Sequence, residues 1–163
     1  NEIEDVDKAA EAIALGALNY FLLSTVPSKD MVFNPAESLS FTGNTGPYLQ
    51  YTGARICTMI GKYTEDTSDA DFSLVTNDDE WEIIKELRSF EKVVCQAGKE
   101  FNPMLIAVYL YNLAKHYSKY YHDYPILRSE PELAKARVAL SKAVLQVLKN
   151  GFALVGIPFL EAM

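Results

Sequence analysis

The chain has 163 residues, 49% hydrophobic and 23% charged, enough to bury one ordinary core and too apolar for wholesale disorder. Its formal net charge of −7 argues against non-specific binding of nucleic acid by the chain as a whole. The longest apolar run, AIALGALNYFLL, is too short to span a bilayer, and the leader NEIEDVD is acidic where a secretory signal carries positive charge, so neither a membrane segment nor export is expected.

Residues Val6 to Ser24 are predicted as a first helix, with Asp5 or Asp7 favouring its positive N-terminal end. Its rear, LGALNYFLL, is apolar nearly all round and is expected to be wedged between neighbours. A loop follows through VPSKDMVFNPAES, broken by Pro27 and Pro35, with a short extended piece at MVF. A second helix starts after a Gly-rich turn, where Thr45 or Asn44 can cap and Pro47 fits the first turn because its missing N–H is not needed there. It runs through YLQYTGARICTMI and stops at Gly61. From Lys62 to Thr76 the composition turns acidic and polar, which marks a linker and the best position for a boundary.

Three further helices are signalled. Asn77 and Glu80 have capping-box spacing before WEIIKELRSFEKVV. Asn102 and Pro103 open the next helix, with Ile106, Leu110, Leu113, Tyr117, Tyr120 and Tyr124 tracking one face. Ser129 and Glu132 suggest a second capping box, and Gly156 followed by Pro158 closes the last helix. Alternating strand patterns are essentially absent, so the expected fold is an all-α bundle of about five helices.

Charge is unevenly spread. Residues 44–61 hold one basic group and no acid, and residues 101–163 hold seven basic against four acidic groups. A polyanion contact therefore belongs to those two regions. Cys57 and Cys95 form no paired motif and read as two buried, reduced thiols of a cytoplasmic protein. His116 and His122 are poorly spaced for zinc and read as surface residues. The acidic run from Glu65 to Glu82 fails the calcium-loop pattern.

On the second helix Tyr48, Tyr51 and Arg55 fall at i, i+3 and i+7, on one stripe. Aromatic planes with a guanidinium are what proteins use to stack on unpaired bases and hold phosphates or base edges. The same spacing also suits half-buried bundle tyrosines with Arg55 paired to an acid. Lys115, Lys119, Lys135, Arg137, Lys142 and Lys149 supply cations for a phosphate backbone, or simply solvate the bundle's faces. The cluster YSKYYHDY reads as core and rim. No phosphate loop, nucleophile elbow, paired zinc histidines or dinucleotide fingerprint is present, so no chemistry is assigned to these residues alone.

The order of the segments FNPAESLSFTGNTGPYLQYTGARI, LIAVYLYNLAKHYSKYYHDYPIL and KARVALSKAVLQVLKNGFALVGI resembles the C-terminal portion of the arginyl-tRNA synthetase family, class I aminoacyl-tRNA synthetases with a DALR-type anticodon-binding domain. The resemblance implies that residues 44–163 form that domain, with the acidic linker near 62–76, and that residues 1–43 end the catalytic half. It implies contact with the anticodon arm of arginine-accepting tRNA through Asn44, Tyr48, Tyr51, Arg55, Lys115, Lys119, Arg137 and Met163, with no catalytic residue and no metal ligand. The upstream catalytic domain would be the second partner; neither DNA nor a membrane would be. The full enzyme would ligate arginine to tRNA using ATP and magnesium in the cytoplasm. Neither class I signature lies in these residues, so isolated catalysis and a cofactor within this portion are not expected. Where the family often has Ala and His after the second tyrosine, this chain has Thr52 and Gly53. A helical protein–protein interaction module without RNA binding is the alternative reading.

Overall fold

Local chemistry sets most of the helix ends in the computed structural model, which describes residues 5–26 and 29–163. The first four residues of the acidic leader, and Pro27 as a breaker, lie outside the described residues. Helix α1 (Val6–Leu23) is capped by Asp5, whose carboxylate accepts from the Lys8 amide. A single turn, α2 (Pro35–Ser38), is capped by Asn34. Helix α3 (Gly46–Ile60) begins at Thr45, whose hydroxyl accepts from the Tyr48 amide at 3.2 Å, and ends at Gly61. The expected extended piece at MVF is irregular loop.

Helix α4 (Asp78–Glu100) carries the complete Asn77–Glu80 capping box. It turns through Phe101, in the left-handed region at φ 49°, into α5 (Met104–Asp123), and the two helices form a hairpin. Asn102 accepts from the Met104 amide at 3.2 Å, so it serves the start of α5 from outside the cap position. Helix α6 (Pro131–Val155) ends at Gly156, which adopts φ +66°.

The expected capping box at the start of α6 does not form. Glu130 occupies the cap position without a side-chain bond, because the Ser129 hydroxyl donates to the Pro125 carbonyl and accepts from Arg137. A tertiary partner has outcompeted the local one.

The fold is all-α, as expected, with five long helices among the described residues. Helix α3 packs on α1, α5 and α6, and α6 also packs on α4 and α5. Leu49, Ile56, Ile83, Leu110, Leu113, Tyr117, Val144 and Leu148 are fully enclosed. Each such side chain contributes about 1.5–3 kcal/mol relative to exposure. Residues 62–76 contain a short 3₁₀ turn (Phe72–Leu74) that lies against α6, and Val75 inserts into the core.

Two expectations about burial are corrected. Only Gly16, Ala17 and Tyr20 of α1 are buried, while Leu15, Leu18 and Leu22 face outward, so the apolar rear of α1 is covered on one side only. Cys95 is exposed, since it sits on the outer face of the α4–α5 hairpin, and Cys57 is half-buried. The Cys57 thiol is pushed up from its ordinary value mainly by burial.

Candidate nucleic-acid interface

Helix α3 is held from two sides. A Cβ on Gly46 would lie 2.1 Å from the Gly16 carbonyl oxygen, so the backbone of α1 rests directly on the first turn of α3. The core face of α3 (Leu49, Ile56, Met59) turns toward α5 and α6. Between these contacts a narrow outward strip remains, and Tyr51 and Arg55, four residues apart, share it.

Tyr51, Ala54, Arg55 and Thr58 form one wall of a 280 Å³ cleft whose other wall is Ala162 and Met163. Tyr51 is 43% exposed. The Arg55 guanidinium lies 5.7 Å from the Tyr51 ring centroid and 4.5 Å from that of Tyr121 on α5. Its Nε and Nη2 are buried without hydrogen-bond partners, and among the described residues no carboxylate pairs with it. The acid-paired reading of Arg55 is thereby removed; two rings hold it instead. The arrangement offers an exposed aromatic face, an uncompensated cation and a thioether in one groove, a combination suited to a looped-out base and its phosphate.

The structure thus brings together three of the expected residues, Tyr51, Arg55 and Met163. Tyr48 turns toward the core. Its ring packs near Tyr111, with centroids 5.9 Å apart, and its hydroxyl lies 3.5 Å from the Ala114 carbonyl. A three-residue step moves a side chain about 60° around the helix, which carries Tyr48 from the strip to the α5 contact. Asn44 is exposed and accepts from the buried Tyr20 hydroxyl, so it ties the loop before α3 to α1, leaving the cap to Thr45.

The expected cations fare differently. Arg137 is corrected outright as a solvent-facing phosphate contact. It is buried, and its Nε donates to Glu80 at 2.8 Å, the Glu80 side chain being 1% exposed. Lys119 is exposed but bridges Asp79 at 2.8 Å and Asp123 at 3.2 Å. Its hydrogen bond to Asp79 holds that carboxyl below the ordinary aspartate value and raises the ammonium above its own. Lys135 pairs with Asp69, and Lys142 donates to Thr67. Lys115 is exposed with no ion pair among the described residues, away from the cleft lining.

Tyr121 was missed as a site residue. The YSKYYHDY cluster does supply core, with Tyr117 and Tyr120 fully buried, but Tyr121 lies one step further round and presents its face to Arg55. Its position after two inward tyrosines was the available signal. Only the α3–α5 packing identifies its partner.

A model of the DALR anticodon binding domain family matches residues 49–163. The chain belongs to this family. All the cleft-lining residues fall within the DALR match. Similar proteins include the arginine–tRNA ligases of Borrelia hermsii, 48% identical over 98% of this chain, and of Treponema pallidum, 47% identical over all of it. The chain spans only 28% and 29% of the length of these relatives. Among solved structures, Thermus thermophilus arginyl-tRNA synthetase superimposes with a TM-score of 0.93 at 33% identity over 99% of this chain and 28% of its own. The Plasmodium falciparum arginyl-tRNA synthetase gives 0.88 at 25% identity over 98% of this chain and 29% of its own. The arrangement described above, including α1 outside the DALR match, is shared with these solved structures.

Proposed function

We propose that this chain recognises the anticodon arm of arginine-accepting tRNA as part of an arginine–tRNA ligase. The observation that carries the reading is the cleft in which Tyr51, Arg55 and Met163 meet, with no carboxylate among the described residues paired to the arginine. In it, Tyr51 stacks on an unpaired base, Arg55 binds a phosphate or base edge, and Met163 supplies an apolar wall. Residues 1–43 connect to the catalytic remainder of the same enzyme, which would bind ATP, magnesium and arginine. Among the described residues no three His, Cys, Asp or Glu side chains converge to hold a metal ion. The whole enzyme would work in the cytoplasm.

Because most lysines near the bundle faces already have partners, recognition rests more on stacking and Arg55 than on a wide basic field. Lys115 remains as a contributor to the phosphate term. The test is titration of a labelled anticodon stem-loop against the parent, Tyr51→Ala and Arg55→Ala. Loss of one stacked base is worth about 1–3 kcal/mol, or roughly 5- to 150-fold in affinity. The helical circular dichroism spectrum should not change, since Tyr51 lies outside the core. Identical affinities for parent and variants would defeat the assignment.

A further inference from the structure

We propose that Gln50 is the positioning residue that fastens segment 157–163 across α3, and so holds Met163 in the cleft. The inference deepens the anticodon-arm reading and rests on it. Gln50 is wholly buried although its amide is strongly polar. Its Nε2 donates to two backbone carbonyls on different elements, Ala12 of α1 at 2.9 Å and Pro158 beyond α6 at 2.8 Å. One side-chain nitrogen thus joins α1, α3 and the segment that ends at Met163. Both of its hydrogens are used, which a carboxylate or an apolar side chain could not reproduce.

The amide packs directly against α1, with its Oε1 buried and without a hydrogen-bond partner. A Cβ on Gly16 would lie 2.7 Å from the Gln50 amide, so a side chain there would displace it. One turn on along the same face, a Cβ on Gly53 would sit 2.9 Å from the Phe159 ring, so the glycine is what admits that ring. Phe159 also packs against Phe152 and lies under the Lys149 ammonium, 4.5 Å from its ring centroid. Glu161 approaches Lys149 at 3.8 Å, and Asn19 of α1 donates to the Gly156 carbonyl. The segment is therefore seated by one buried amide and one ring before it reaches Ala162 and Met163 in the cleft. Gly53, which weakens the helix by about 1 kcal/mol relative to alanine, thereby has a packing rationale.

The segment's seat has its own reporter. Cys57 is half-buried and lies one helical turn beyond Gly53, on the face of α3 that meets the Phe159 ring. Lifting the segment should uncover it. In a Cys95→Ser background, the alkylation rate of Cys57 and the affinity for the anticodon stem-loop are measured for the parent, Gln50→Met and Phe159→Ala. Both variants should label Cys57 several-fold faster and bind the stem-loop about fivefold more weakly, the scale of one lost apolar contact. Phe159→Ala leaves the Gln50 amide and its two hydrogen bonds in place, so it keeps the test valid if Gln50→Met lowers the melting temperature.

A double-variant cycle separates positioning from general loosening. With Met163→Ala already present, Gln50→Met should weaken binding no further, whereas a merely structural effect would add. Unchanged Cys57 labelling in both variants, or full additivity with Met163→Ala, overturns the role of Gln50. If the parent itself does not bind the stem-loop while the variants still speed labelling, the anticodon-arm reading fails and the fastening role stands.

Discussion

Arg137→Met breaks the buried ion pair between Arg137 and Glu80. In the parent, Arg137 Nε meets Glu80 Oε1 at 2.8 Å, and Nη1 donates to Ser129 at 2.7 Å. Removing one partner of a buried pair typically costs about 3–5 kcal/mol, because the other charge stays buried and uncompensated. Here Glu80 keeps two donors, the Tyr120 hydroxyl at 3.1 Å and the Asn77 amide at 3.3 Å, which places the cost near the lower end. About 3 kcal/mol in a domain of this size lowers the melting temperature by roughly 6–12 °C. Thermal and urea melts followed by circular dichroism measure it. Adding Glu80→Gln removes the stranded charge while retaining an acceptor for Asn77, so the double variant should recover much of the loss. A second readout addresses the RNA: neutralising a phosphate contact flattens the salt dependence of log Kd by about one unit of slope, and Arg137→Met should leave it unchanged. A melt within 2 °C of the parent, or a flattened salt slope, would refute the argument that Arg137 is structural.

Three further perturbations follow from the same geometry. Asn77→Ala breaks the capping box of α4 and should cost about 1 kcal/mol, whereas an unchanged melt would show that the box contributes nothing net. Gly46→Ala should destabilise by about 3 kcal/mol, because its Cβ would collide with the α1 backbone; a raised melting temperature would contradict that close approach. The Lys119–Asp79 contact stabilises the fold only while Asp79 is ionised. With its folded value lowered, that stability is complete above the ordinary aspartate value and is lost as pH falls through the lowered one. Parent and Lys119→Ala melts should therefore differ at neutral pH and converge in acid, and a gap constant with pH would exclude the mechanism.

Features built within a few residues were legible in the amino-acid order. The Asn77–Glu80 box, a cap at Thr45 or Asn44, the stops at Gly61 and Gly156 and the core periodicity of α5 depend on neighbours three or four positions away. The motif order carried the family resemblance in the same way. Contacts between distant segments were not legible. Ser129 and Glu132 have capping-box spacing, yet Arg137 takes the serine. Arg137 has the look of a surface cation, yet its carboxylate partner lies 57 positions earlier. Tyr48 and Tyr51 are alike in type and differ only in which side of α3 meets α5, so one is half-enclosed and the other open. Hydrogen bonds inside a helix are set by the local chain, whereas desolvation and charge pairing depend on what packs alongside. The residue types of the cleft belonged to the sequence; tertiary packing alone decided that Tyr51, Arg55, Tyr121 and Met163 meet, and that Gln50 would fasten the last of them.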